Sequence, residues 1–142
     1  MTKRVIEMPE LGMGTFRLEG DTAYNSVKMA LEVGFRHIDT AQIYGNEEQV
    51  GQAIKDSNIP RSEIFLTTKV WNNKLNKSDF IPSVKKSLEK LQVDSVDLLL
   101  VHWPSPANDE PMSEYLTELL KAKQLGLTKH IGVSNFTIAN LN

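Results

Sequence analysis

Apolar positions along the chain follow two rhythms. Four segments space them at i, i+3, i+4 and i+7: Tyr24, Val27 and Leu31; Val50, Ala53 and Ile54; Ile81, Val84, Leu88 and Leu91; and Leu116, Leu119 and Leu120, with Lys123 closing the last. That spacing lines one face of a helix. Between them lie short β-prone runs, Phe35 to Asp39, Ile64 to Lys69, Val96 to His102 and Ile131 to Ser134, whose ends fall at intervals of 30, 33 and 32 residues. An earlier run, Leu11 to Thr15, precedes the first helical segment. The pattern predicts about five strands alternating with four helices, and a further helix beginning near Thr137.

Residues that end and begin helices support the same division. Asp21, Asn46, Ser78 and Ser113 stand where N-caps are expected, because their side-chain oxygens can accept from unpartnered N–H groups. Gly34 and Gly126 follow helix ends, where a left-handed residue is needed, and Pro82 falls in a first helical turn, where it does limited damage. Alternating β and α elements, with Val96 to Val101 taken as apolar on both faces, imply a parallel sheet covered by helices. An open dinucleotide-binding sheet would carry G-x-G-x-x-G after its first strand, but Arg17 follows Gly12 and Gly14 where the third glycine belongs. A (β/α)₈ barrel instead gathers its chemistry at the C-terminal ends of successive strands, where this chain has Asp39, Lys69 and His102. The expected fold is therefore α/β, a partial TIM-type barrel of about five parallel strands with helices outside, forming a single unit over residues 1–142.

Composition narrows the classes of function. The 142 residues include 16 Lys and Arg against 18 Asp and Glu, for a net charge of −2, with 24% charged and 40% apolar residues. This is the balance of a soluble globular domain. There is no cysteine, so disulfides are excluded, and the basic residues are scattered, which argues against a nucleic-acid-binding face. The start, MTKRVIEMPE, is basic but lacks a following apolar stretch, and the longest purely apolar run is Leu98 to Val101. Neither a secretory signal nor a membrane span is expected, and the cytoplasm is the expected compartment.

Five motifs occur in order: Gly34-Phe35-Arg36-His37-Ile38-Asp39-Thr40-Ala41, Tyr44-Gly45-Asn46-Glu47, Thr68-Lys69, Asp97-Leu98-Leu99-Leu100-Val101-His102-Trp103-Pro104 and Ile131-Gly132-Val133-Ser134-Asn135-Phe136. Together they resemble the aldo-keto reductase family. His102-Trp103-Pro104-Ser105-Pro106 and Asn135-Phe136-Thr137-Ile138 are most similar to its bacterial 2,5-diketogluconate reductases of the B type. The resemblance implies NADPH-dependent reduction of a small ketone, ketoaldehyde (methylglyoxal among them) or diketo-sugar acid. Carbonyl reduction needs a hydride donor that no side chain can be, so a nicotinamide cofactor is implied.

The resemblance also implies roles for individual residues. Tyr44 is the candidate acid. A free tyrosine has a pKa near 10, so it donates efficiently near neutrality only when a cation stabilises its phenolate, and Lys69 is the candidate cation. Asp39 would keep Lys69 charged and aimed, and His102 would hydrogen-bond the substrate carbonyl oxygen. Gly14, Thr15, Asp39, Ser134 and Asn135 are the implied cofactor contacts. Phe16, Trp71 and Trp103 are the implied aromatic wall of the substrate pocket.

Plainer readings stand beside these. Trp71 and Trp103 could be core aromatics, Ser134 and Asn135 a helix cap, and His37 with Asp39 a metal pair, although barrel metal sites need more ligands and no metal is expected. His130, Lys85, Lys86, Lys121 and Lys123 read as solvated helix or loop groups. A full (β/α)₈ domain takes roughly 250 residues. The resemblance implies that the remaining strand–helix units carry most groups that hold the adenosine 2′-phosphate and an aromatic that stacks on the nicotinamide. The isolated chain is therefore expected to be inactive. The alternative is a non-catalytic partial barrel that self-associates through its strand edges or pairs with a complementary fragment.

Overall fold

The computed structural model describes residues 6–142, and the basic start at Lys3 and Arg4 lies outside them. Five strands form one parallel sheet in chain order: β1 (Gly12–Gly14), β2 (His37–Asp39), β3 (Phe65–Val70), β4 (Val96–Val101) and β5 (Thr128–Val133). Helices α1 (Gly20–Glu32), α2 (Glu47–Asp56), α3 (Phe80–Leu91) and α4 (Met112–Gln124) connect them, and α5 (Ile138–Leu141) follows β5. Sequential parallel neighbours joined by helices match the expected partial barrel. No helix among the described residues is long and apolar enough to cross a membrane.

One row of paired positions crosses the sheet through Gly14, Asp39, Thr67, Leu98 and His130, and the next through Lys69, Leu100 and Gly132. Residues two apart on a strand share a face, so Asp39 and Lys69 lie on the same side of the sheet, one pleat apart. On the opposite side Ile38, Leu66, Val70, Leu99 and Val101 are buried against Val27, Leu31, Val50, Ile54, Val84 and Leu91 of the helices. A Cβ on Gly51 would come within 2.6 Å of the Leu91 backbone, so glycine is what lets α2 cross α3 this closely.

Gly34 and Gly126 adopt φ of 110° and 76°, as helix-ending residues expected to be left-handed. Pro82 sits in the first turn of α3. The expected N-caps fare differently. Asp21 and Ser113 lie inside the first turns of α1 and α4, and Ser78 precedes the cap position, held by Asp79. Asn46 does occupy the cap of α2, but its side chain does not cap. It donates instead to Thr15 O at 2.8 Å and Leu18 O at 3.0 Å and accepts from Thr40 Oγ1. Thr137 forms a capping box with Asn140 at the start of α5, so Ser134 and Asn135 are not that helix's cap.

Three further expectations are corrected. The buried face of α4 is Tyr115, Glu118, Leu119 and Ala122, whereas Leu120 is 47% exposed and Lys123 is exposed. At about 100° per residue, a helix that buries Leu119 turns Leu120 toward its flank. His130 lies half-buried within β5 rather than on a helix or loop. Finally, β4 is not apolar throughout: Asp97 is buried in it, ion-paired to Arg61 at 2.7 Å and accepting from the Leu66 N–H at 2.9 Å.

Candidate active site

Lys69 is the hub of the polar cluster at the strand ends. Its neighbours on β3 alternate between the two faces of the sheet, so its side chain emerges on the side shared with Asp39. The Nζ donates to Asp39 Oδ1 at 2.6 Å, to Thr40 O at 3.1 Å and to Tyr44 Oη at 3.3 Å. An ammonium has three protons, and three acceptors surround this one. The Lys69 side chain is 8% exposed and that of Asp39 32%, which leaves Asp39's second oxygen open to the cleft.

Tyr44 ends a 3₁₀ turn, Gln42–Tyr44, closed by Gly45 in the left-handed region at φ 69°. The turn swings the phenol back over the sheet, where its ring meets Phe16 at 5.3 Å with the planes tilted by 49° and His102 at 5.7 Å edge to face. Trp71 packs against His102 at 5.2 Å. Phe16, Tyr44, His102 and Trp71 thus form a continuous aromatic rim. Trp71 is half-buried, while Trp103 and Phe16 are 44% and 62% exposed, so neither tryptophan is a fully buried core residue.

His102 is buried, and its Nδ1 has no partner among the described residues. Burial pushes its pKa below the usual histidine value, the nearby Lys69 ammonium pushes it further down, and Asp39 opposes both. Burial likewise depresses His37. Because the folded protein takes up these protons less readily than the unfolded chain, stability contributed at neutral pH is drawn away as pH falls through about 6.5 and below. A proton NMR titration is expected to place the His102 midpoint below the ordinary value near 6.5, and Lys69→Met to raise it. A midpoint unmoved by that substitution would show that the ammonium does not act on the ring.

Of the expected cofactor contacts, Gly14 and Thr15 lie at one edge of the sheet, Ser134 and Asn135 at the other, and Asp39 on the interior strand β2. A Cβ on Gly14 would find nothing within 4 Å, so the backbone there is open to close approach. Thr15 is fully buried, and its hydroxyl and N–H both donate to Asp39 O. Asn135 stands at φ 61° after Ser134, and its amide donates to His102 O at 3.0 Å and to Ser134 Oγ at 3.1 Å. This joins the end of β5 to the histidine. His37 contacts Thr67 Oγ1 at 3.0 Å and Asp39 contacts Lys69, so the two do not converge. Among the described residues no cluster of three or more His, Asp or Glu is placed to hold a metal ion.

A buried polar layer lies behind the site, in which the sequence reading has Asn46 only as a helix cap and assigns no chemistry to Gln42 or Glu47. Gln42 Oε1 accepts from the Trp71 N–H at 2.9 Å, fixing the backbone that carries that ring. Asn46 ties the turn to the β1–α1 loop. Glu47, 3% exposed, accepts from Thr68 Oγ1 and Ser87 Oγ. The only signal in the sequence is that Asn46 and Glu47 directly follow Tyr44-Gly45.

Fold and site together define a class, the (β/α)-barrel proteins that carry polar chemistry at the C-terminal ends of their strands. Residues 10–142 match the model of the aldo/keto reductase family, and the chain belongs to that family. It is 55% identical over 131 residues to methylglyoxal reductase DkgB of Salmonella typhi, covering 92% of this chain and 49% of that protein. The crystal structure of a protein assigned as a 2,5-diketo-D-gluconic acid reductase B superposes with a TM-score of 0.91 at 50% identity, over 94% of this chain and 47% of the other. The Bombyx mori aldo-keto reductase in complex with NADP superposes with a TM-score of 0.84 at 39% identity, over 94% and 48%. The chain spans about half the length of the relatives it matches.

Proposed function

We propose that this chain supplies the carbonyl-activating half of an NADPH-dependent reduction of a small ketone, ketoaldehyde or diketo-sugar acid, and that turnover also needs the second half of the barrel. The observation that carries the reading is the Lys69 ammonium held between the Asp39 carboxylate and the Tyr44 phenol. Tyr44 Oη gives its proton to the substrate carbonyl oxygen as negative charge grows there, and Lys69 stabilises the phenolate left behind. Asp39 and Thr40 O fix the ammonium so that it needs no rearrangement during the step. His102, kept neutral near pH 7 by its depressed pKa, donates a hydrogen bond to the same oxygen and orients it. Phe16, Trp71 and Trp103 wall the pocket and exclude water.

A reduced nicotinamide, when bound, supplies the hydride. The residues present fit such a group: the open backbone at Gly14, the second oxygen of Asp39, and Ser134 with Asn135 beside His102 would hold it, while Thr15 holds the Gly14 segment in place. The names of the relatives support both the carbonyl substrate and NADP.

A second reading is favoured by the sheet itself, whose outer strands β1 and β5 each have one side unpaired among the described residues. Such edges favour pairing with another copy. One experiment separates the two. The chain alone, and mixed with the C-terminal half of the Salmonella relative, is titrated with NADPH and assayed on methylglyoxal. Turnover is expected only in the mixture. Turnover by the chain alone would overturn the need for a second half. A mixture that assembles to the size of a full barrel yet neither binds NADPH nor turns over would overturn the reductase reading in favour of a non-catalytic partial barrel that pairs with a complementary fragment.

A further inference from the structure

Glu47 opens α2, yet its carboxylate does not serve the helix. It is buried, accepting at 2.7 Å from Thr68 Oγ1 on β3 and at 3.1 Å from Ser87 Oγ on α3. Burial pushes its carboxyl up from the ordinary range, and the two hydroxyls oppose that shift. A buried carboxylate is an expensive way to fill space, and an apolar side chain of similar volume would pack there at lower cost. Its partners explain why it is worth keeping.

Thr68 immediately precedes Lys69, and strand alternation sends the two side chains to opposite faces. Glu47 follows Tyr44 by three residues, Gly45 and Asn46 lying between. Glu47 to Thr68 on the helix side and Lys69 to Tyr44 on the site side therefore close a small ring of covalent and hydrogen bonds through β3. If β3 slides along its axis, or the start of α2 lifts from the sheet, both bonds lengthen together. Asn46 anchors the same turn, but to the β1–α1 loop and not to β3. Gln42 ties the same turn to Trp71, just past the end of β3, and Glu47 adds the link that reaches the strand beside the ammonium itself, at Thr68.

We propose that Glu47, through Thr68, is a positioning residue that sets the approach of the Lys69 ammonium to the Tyr44 hydroxyl. Its catalytic meaning rests on the reductase reading, but the geometry can be measured without turnover. In the intact chain labelled with ¹⁵N-lysine, the Lys69 ammonium, enclosed by three acceptors, is expected to exchange slowly and to show a nuclear Overhauser contact to the Tyr44 ring. Thr68→Val removes the donor while keeping the side-chain shape. In a variant that circular dichroism shows to be folded, this contact is expected to fall at least two-fold and exchange to quicken. Ser87→Ala breaks Glu47's link to α3 and removes one of two hydroxyls that accept from Gln42 Nε2, which keeps Ser83 Oγ at 3.1 Å, and it is expected to leave both signals unchanged.

Wild-type signals in Thr68→Val would overturn the proposal, as would equal losses in the two variants, which would make Glu47 a general packing residue. Should Thr68→Val not fold, Thr68→Ala carries the test, since it too removes the hydroxyl that donates to Glu47. Weakening of the Lys69 signal supports positioning, and its retention overturns it. Failure of the NADPH assay with these signals intact would count against the reductase reading alone.

Discussion

Tyr44→Phe is expected to lower carbonyl reduction by the assembled barrel by about 10²–10⁴-fold, the usual worth of a positioned general acid. The ring remains, so its packing against Phe16 and His102 is kept. What disappears is the hydroxyl, which accepts one hydrogen bond from Lys69 at 3.3 Å. Lys69 keeps Asp39 and Thr40 O, so the expected cost in stability is about 1 kcal/mol, the net worth of one such bond. The variant is therefore expected to melt close to the parent while nearly inactive. Lys69→Met makes the contrast, because it also strands the Asp39 carboxylate and is expected to lose both activity and stability. Steady-state rates and thermal melts of both variants check this, and near-parental kcat in Tyr44→Phe would remove Tyr44 from the role of acid.

Much of this arrangement was legible because it is local or periodic. The strand ends at Asp39, Lys69 and His102 follow from short β-prone runs between helical segments, and a parallel (β/α) sheet places such ends on one rim. That the three meet Tyr44 was legible through resemblance, not spacing, since a five-residue interval does not reveal a turn closed by left-handed Gly45. The N-caps were misread for a physical reason. Asp, Asn and Ser suit a cap equally well, and what decides is the competing acceptors and donors nearby. Asn46 Oδ1 accepts from Thr40 Oγ1 instead of a helix N–H, and its Nδ2 is held by Thr15 O and Leu18 O, 31 and 28 residues away, which no local window contains. Glu47 was hidden likewise: its partners are Thr68 and Ser87, and apart from its place after Tyr44-Gly45-Asn46 it reads as a solvated first-turn acid.

Asp97 is the clearest case of chemistry hidden inside an apolar rhythm, and its removal is expected to give the largest loss of stability. The residue interrupts β4 where the pattern reads as a buried strand, and its side chain is 10% exposed. One oxygen accepts from Arg61 at 2.7 Å and from the Leu66 N–H at 2.9 Å, and the other faces Lys129 at 3.4 Å. Arg61 also donates to Ile64 O at 2.6 Å and Ser95 O at 2.9 Å, so one ion pair ties together the segments entering β3 and β4. In Asp97→Ala the guanidinium, 32% exposed, keeps its two carbonyl acceptors and gains water, while the buried Leu66 amide is left without its acceptor. Leaving a buried donor unsatisfied costs about 1–3 kcal/mol. Domains of this kind hold only about 5–15 kcal/mol in all. Asp97→Ala is accordingly expected to unfold at markedly lower urea concentration. Asp97→Asn keeps an oxygen for Leu66 and Arg61 and is expected to lose less. Equal midpoints for Asp97→Ala and the parent would mean that the pair is solvated and contributes as little as any surface bridge.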